Sequence, residues 1–173
     1  MWIFKNYKLL AKNEHIELLN IRNSKYVREV SNDKDVISLE NHLQWIKNLD
    51  ESKCYLALFI DEKIVGGLNY TCKDNIIENW GIFFDEQTKP LVASIATYLF
   101  IEYMFSKFDV LYSEVLKENQ KALKFNQYFG LYVIDETDDL YKLKITKEEW
   151  QKYKPNLKIL EKRAQNIKYQ FEC

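Results

Sequence analysis

The chain predicts an α/β fold of the α+β kind, a mixed and mostly antiparallel sheet flanked by helices. Three observations predict it. Apolar residues recur with a period of two in some stretches and of about 3.6 in others, so strands and helices alternate along the chain. Two apolar runs, Tyr55 to Ile60 and Ile64 to Thr71, flank the polar turn Asp61-Glu62-Lys63, which is the pattern of a β-hairpin. Residues Glu114 to Leu131 read as a short strand, a capped helix and a glycine-stopped turn in one run.

Taken in order, Tyr7 to Ala11 is expected as a first strand and Glu14 to Asn23 as a helix with Ile16, Leu19 and Ile21 toward the core. Ser38 to Leu49 predicts a second helix. Ser38 caps it, Glu40 suits the positive end of the helix dipole, and Leu39, His42, Leu43, Trp45, Ile46 and Leu49 form a broad apolar stripe. The hairpin follows, then Ile76 to Phe84 as the third strand of a meander and Lys89 to Phe105 as a long apolar helix. Val110 to Val115 is a strand leading into the helix that Asn119 caps. Ala122 and Phe125 lie on one face of that helix, and Gly130 supplies the left-handed residue that ends it. Tyr132 to Asp135 and Leu140 to Ile145 complete the sheet. Beyond them, Thr146 and Glu149 form a capping box, and Leu160, Ala164, Ile167 and Phe171 follow a 4-3-4 spacing that predicts an amphipathic helix over Leu157 to Phe171.

With 173 residues, 47% of them hydrophobic, the chain fits one domain with a full core. The expected organisation is a main domain at 1–146 and a helical extension at 147–173 packed on it, with a homodimer contact through the last helix as the other option. A formal net charge of −1 argues against a general attraction to nucleic acid or anionic lipid. Cys54, Cys72 and Cys173 are odd in number and lack a Cys-x-x-Cys pair, which predicts reduced thiols and neither a disulfide framework nor a metal site. No stretch reaches the ~20 apolar residues of a spanning helix, and the apolar run at the N-terminus breaks too early for a secretory signal. A cytoplasmic protein is expected.

The run from Glu114 to Leu131, with Asn119, Ala122 and Gly130 at their spacings, resembles the fourth helix of the Gcn5-related N-acetyltransferases. The element order of helix, helix, three-strand meander, helix, strand, helix and strand pair matches that family over about residues 5 to 146. Three local motifs are similar to the subfamily that acetylates nucleotide-linked amino sugars in pseudaminic acid biosynthesis. They are Ile21-Arg22-Asn23, Ile37-Ser-Leu-Glu-Asn-His42-Leu-Gln-Trp45-Ile46 and Trp80-Gly-Ile-Phe83. The resemblance implies a central sheet of six or seven strands with a splayed fourth and fifth pair, about four helices, acetyl-CoA as co-substrate and direct transfer. The implied acceptor is the amino group of a UDP-linked 4-amino-4,6-dideoxy sugar on the way to a bacterial surface glycan.

The resemblance also assigns residues. Backbone groups of Ile82 and Phe83 would meet the thioester, and the loop and helix start holding Gln87, Lys89, Leu91, Val92 and Ala93 would meet the pyrophosphate, with Asn119, Lys121 and Lys124 on the following helix. A helix N-terminus suits such an anion because its first N–H groups are free and its dipole is positive. Here Pro90 and Val92 replace the two glycines of the family's loop, so one N–H is missing and Lys89 supplies charge instead. The tyrosine that commonly protonates the departing thiolate in the family is Asn126 in this chain. Glu114 is the candidate to take the ammonium proton, its alternative being an exposed acid at a strand edge. His42 is a second base candidate and, from its motif, an acceptor contact. Arg22 would face a phosphate or else a surface partner, and Asn69 and Thr71 are weaker polar candidates. Two alternatives stay open: an acetyltransferase on another amine, such as a protein N-terminus or an aminoglycoside, and a non-catalytic binding protein of the same fold.

Overall fold

The computed structural model describes residues 1–31 and 33–173. Its strands are β1 (Trp2–Asn6), β2 (Lys53–Ile60), β3 (Lys63–Lys73), β4 (Ile76–Phe84), β5 (Val110–Leu116), β6 (Tyr132–Glu136), β7 (Leu140–Thr146) and β8 (Tyr169–Glu172). Its α-helices are α1 (Lys12–Arg22), α2 (Lys25–Arg28), α3 (Leu39–Lys47), α4 (Pro90–Phe105), α5 (Gln120–Tyr128), α6 (Lys147–Tyr153) and α7 (Lys158–Gln165). Hydrogen bonding orders the strands β6-β7-β5-β4-β3-β2-β1-β8. The α/β class expected from the periodicity holds, with eight strands where six or seven were expected. The chain divides into two compact units. One comprises Met1–Asn69, Gly81–Ala93 and Ile167–Cys173, the other Tyr70–Trp80 and Ser94–Asn166.

In the first unit β1 pairs antiparallel with β2 and parallel with β8. The expected first strand at Tyr7 to Ala11 is displaced: the strand is Trp2–Asn6, and Tyr7–Leu9 is a 3₁₀ turn capped by the Asn6 side chain. The alternation that decides it puts Trp2 and Phe4 in the core. α1 buries His15, Leu18, Leu19 and Ile21 and leaves Ile16 44% exposed, so a histidine occupies the core position that hydropathy assigns to Ile16. The hairpin turn places Asp61 and Glu62 at positive φ, 49° and 69°, the two-residue geometry whose twist matches its strands. Two glycines of β3 let other groups close in. A Cβ on Gly66 would lie 2.2 Å from the Phe83 carbonyl oxygen, and one on Gly67 would lie 2.5 Å from the Tyr7 hydroxyl.

The C-terminal segment also departs from expectation. The helix is only α7, ending at Asn166, and Phe171 belongs to β8, where it stacks on Phe4 with ring centroids 4.3 Å apart. The period-two run Tyr169-Gln-Phe171-Glu covers the edge that β1 would otherwise expose. Leu160 and Ala164, the stripe considered for a dimer contact, are buried within the monomer.

In the second unit β5 and β6 each pair antiparallel with β7. Phe100, Ile101, Met104, Leu111, Phe129 and Trp150 are buried to 3% exposure or less. The Thr146–Glu149 capping box forms as expected and starts α6. α6 is tied to α4 by Glu102, which accepts from the Trp150 indole at 2.5 Å and from the Lys154 ammonium at 3.0 Å. Among the described residues no helix is long and apolar enough to cross a membrane.

Candidate active site

In the second unit β4 and β5 run parallel but pair only at Ile76↔Val110 and Ile77↔Leu111. Two residues further on, the Asn79 side chain stands where a third pair would form. Its Oδ1 accepts the backbone N–H of Trp80 at 2.9 Å and of Glu114 at 3.2 Å. An amide oxygen thus replaces a strand carbonyl, and the β4–β5 ladder ends there. The splay expected between the fourth and fifth strands is present, enforced by a residue that no motif singled out. An asparagine between the apolar residues Ile77 and Trp80 was the available signal, since a half-buried amide in a strand needs a local backbone partner.

Glu114 is exposed on β5, and its register partner is Lys142, which in turn pairs with Asp135 on β6. With Asp135, Glu136, Thr137 and Leu140 these residues line a recess of about 220 Å³. Its side chains are mainly acidic, which favours an ammonium over a phosphate. Thr71 is half-buried on β3. A larger recess of about 660 Å³, around Met1, Lys5, Glu14, Asp61, Glu62 and Glu172, contains none of the sequence-predicted site residues.

α5 starts as expected, with Asn119 Oδ1 accepting the Ala122 N–H at 3.0 Å, and Gly130 ends it at φ +85°. Lys121 and Lys124 are exposed on this helix. Asn126 is 7% exposed. Its Nδ2 donates to the Ala122 carbonyl at 2.9 Å, while its Oδ1 is buried and has no partner. A carboxamide N–H is not an acid at neutral pH, so this side chain cannot protonate a thiolate. Tyr128, the one tyrosine of α5, is 49% exposed.

In the first unit two helices bring together residues that the sequence keeps far apart. His15 Nδ1 on α1 lies 3.2 Å from His42 Nε2 on α3, and each residue is 5% exposed. Around His42 stand the rings of Tyr7 and Trp45, both with centroids 5.9 Å away, and Tyr55 packs edge-on against Trp45 at 4.6 Å. Burial, with the His15 imidazole adding to it, pushes His42 down to about 4. Burial also lowers His15, opposed by the Glu14 carboxylate. Both rings are therefore neutral near pH 7. Burial, reinforced by Tyr55 and countered by the Arg22 guanidinium, keeps the Tyr7 phenol protonated well above its ordinary range.

The Ile21-Arg22-Asn23 motif divides its work. The Asn23 amide clasps Ile37 by both backbone groups, at 2.8 and 2.9 Å, and so closes the segment between α1 and α3. Arg22 Nη2 donates to the Asp33 carbonyl at 3.0 Å, and its Nη1 is buried without a partner. Asn69 lies over Gly81, where a Cβ would come within 3.2 Å of its Nδ2. Ile82 and Phe83 are half-buried on β4. In the loop before α4, Asp85 accepts the Gln87 N–H at 2.8 Å, and Pro90 opens the helix without an N–H. The Val92 and Ala93 amides turn back to the Lys89 carbonyl at 2.9 and 3.2 Å. Gln87, Lys89 and Leu91 are exposed. An anion at this helix start would rely on the Lys89 ammonium more than on a backbone cradle.

The first unit thus assembles Arg22 and His42 around Tyr7 and holds Asn69, Ile82, Phe83 and the Gln87–Ala93 loop. The second holds Glu114, Thr71, Asn119, Lys121, Lys124 and Asn126, with Glu114 alone of these lining the acidic recess. His15, Tyr7, Tyr55 and Asn79 were not foreseen.

No family model matches the chain. It is 30% identical over 141 residues to acetyltransferase PseH of Campylobacter jejuni, an overlap of 79% of this chain and 88% of that protein. The fold is similar to the crystal structure of C. jejuni N-acetyltransferase PseH in complex with acetyl coenzyme A, with a TM-score of 0.69 and 28% identity over 84% of this chain and 99% of that one. It is also similar to apo FdhC, a nucleotide-linked sugar GNAT, with a TM-score of 0.71 at 20% identity over 90% of this chain and 96% of that one, a likeness of fold alone.

Proposed function

The chain belongs to the PseH acetyltransferase family, and from that premise we propose that this acetyl-CoA-dependent N-acetyltransferase acts on the amino group of a nucleotide-linked amino sugar. The acceptor is of the UDP-4-amino-4,6-dideoxy type, and the step belongs to the biosynthesis of pseudaminic acid for a surface glycan. The observation that carries the acceptor class is Arg22 Nη1, a buried guanidinium donor without a partner. A cation left in that state calls for an anionic oxygen, and a nucleotide diphosphate supplies one in a chain with no net positive field.

Acetyl-CoA fits the residues present in part. We assign the backbone amides of Ile82 and Phe83 to the thioester side. Lys89, with Gln87, Leu91, Val92 and Ala93, would meet the pyrophosphate, and Asn119, Lys121 and Lys124 are assigned to the same cofactor. Glu114 takes the ammonium proton, directly or through water, in the acidic recess that attracts the amine. Because the Asn126 carboxamide is not an acid, the thiolate takes its proton from water or from the substrate nitrogen, which becomes cationic again once it has attacked the thioester. Positioning of amine and thioester then supplies much of the acceleration.

A thiol-release assay over nucleotide amino sugars, polyamines, aminoglycosides and peptides tests the acceptor class. Turnover is expected with the nucleotide amino sugars. Arg22→Ala should raise KM for them by about tenfold or more, since a charge-assisted hydrogen bond contributes ~1.5–3 kcal/mol, while leaving KM for acetyl-CoA alone. Turnover confined to peptides or aminoglycosides rejects the sugar assignment.

A further inference from the structure

We propose that His15 is a positioning residue for the acceptor: paired with His42, it holds that ring in place and neutral, so that the remaining His42 nitrogen makes an uncharged hydrogen bond to a hydroxyl or amide of the sugar. This rests on His42 being an acceptor contact, as in the function proposed above.

The geometry defines the pair. Nδ1 of His15 and Nε2 of His42 are 3.2 Å apart, and the rings meet edge to face at 72° with centroids separated by 5.1 Å. Two imidazoles that face each other through one nitrogen each need one proton between them. One ring donates, the other accepts, and the tautomers are complementary. A second proton in the contact would set N–H against N–H. The groups packed around the pair give a charge little support. Tyr7 at the end of β1, Trp45 on α3 and Tyr55 on β2 are uncharged rings, and the phenols stay protonated. Arg22, within electrostatic reach of Tyr7, would repel an imidazolium. Among the described residues the favourable neighbour is Glu14, beside His15, and it is engaged by the Lys5 ammonium at 2.9 Å and the Ala11 N–H at 2.7 Å.

Burying two imidazoles to form one hydrogen bond is a poor way to build a core, because two apolar side chains of similar volume would pack there without the desolvation cost. The arrangement is suited to presenting His42. A neutral ring neither repels the acceptor's ammonium nor competes with Arg22 for phosphate. A hydroxyl, which donates and accepts, complements either tautomer of the pair. Partly exposed Trp45, in ring contact with both His42 and Tyr55, offers an aromatic surface beside it for a sugar face.

Two measurements on the intact protein test the proposal. Long-range proton–nitrogen NMR of the two rings near pH 7 should show both neutral, with one protonated and one bare nitrogen at the contact. A cationic ring near pH 7 overturns it. In kinetics, His15→Leu should raise KM for the nucleotide amino sugar by about tenfold with KM for acetyl-CoA unchanged. In that variant His42 should also titrate at higher pH, because the neighbouring ring that lowers it is gone. His15→Gln, whose amide can donate or accept, should restore KM to within about threefold of wild type. Variants that lose thermal stability but keep wild-type KM assign the pair to the fold alone and overturn the proposal. If His15→Leu does not fold, His15→Gln decides: a KM raised about tenfold with the His42 spectrum unchanged is the overturning result. Absence of turnover on every nucleotide amino sugar by the wild type rejects the acceptor class instead. The ring spectra and the same variants, assayed on whichever amine is turned over, then still judge the pair.

Discussion

Replacing Asn79 with leucine removes one acceptor that serves two backbone donors at the point where β4 and β5 part. The Trp80 N–H, bound at 2.9 Å, is part-buried, and leaving it without a partner costs ~1–2 kcal/mol. The Glu114 N–H, bound at 3.2 Å, is exposed, so water replaces the lost partner and the cost falls to about 0.5 kcal/mol. The total of about 2 kcal/mol corresponds to a fall in Tm of roughly 4–8 °C for a chain of this size. Asn79→Asp keeps an oxygen able to accept from both amides and should retain most of that stability. Thermal unfolding followed by circular dichroism, with and without acetyl-CoA, measures both arms. The stabilisation by acetyl-CoA should shrink in the leucine variant and persist in the aspartate variant, because ligand stabilisation follows the affinity of the folded state. An Asn79→Leu protein that melts within about 1 °C of wild type and keeps its acetyl-CoA shift would falsify the idea that this side chain holds the strands apart.

Two further outcomes follow from the site. Lys89→Ala should weaken acetyl-CoA binding by ~1–2 kcal/mol in calorimetric titration, the worth of a charge-assisted contact in a loop where Pro90 contributes no N–H; an unchanged affinity would show that the pyrophosphate does not use Lys89. Asn126→Tyr should leave kcat unchanged or raise it, since the present side chain has no proton to give; a folded variant that binds acetyl-CoA normally yet loses more than about tenfold in kcat would reveal a positive role for the orphan Oδ1.

The amino-acid order alone determined the elements whose causes are local. Asn119 caps α5 and Gly130 ends it, Thr146 and Glu149 box the start of α6, and the hairpin turns at Asp61-Glu62, because caps and turns are decided by a few neighbouring residues. Periodicity also set the α/β class, and the motifs around Arg22, His42 and Trp80 pointed to the family. It misplaced β1, put Ile16 in the core and extended the last helix through Phe171. Each of those errors has a partner far along the chain. Tyr169–Glu172 is a strand because β1 needs an edge covered, and His15 is buried because His42 stands opposite, 27 residues away. The same holds for the chemistry. Asn79 ends the β4–β5 ladder only when Glu114 lies beside it, and the Asn126 oxygen is left without a partner only once its amide is turned to the Ala122 carbonyl and the core has closed over it. Local propensity and spacing carry information about the backbone's own groups, whereas the burial and pairing of a polar side chain are set by whichever distant residue packs against it, and that is fixed only when the chain is folded.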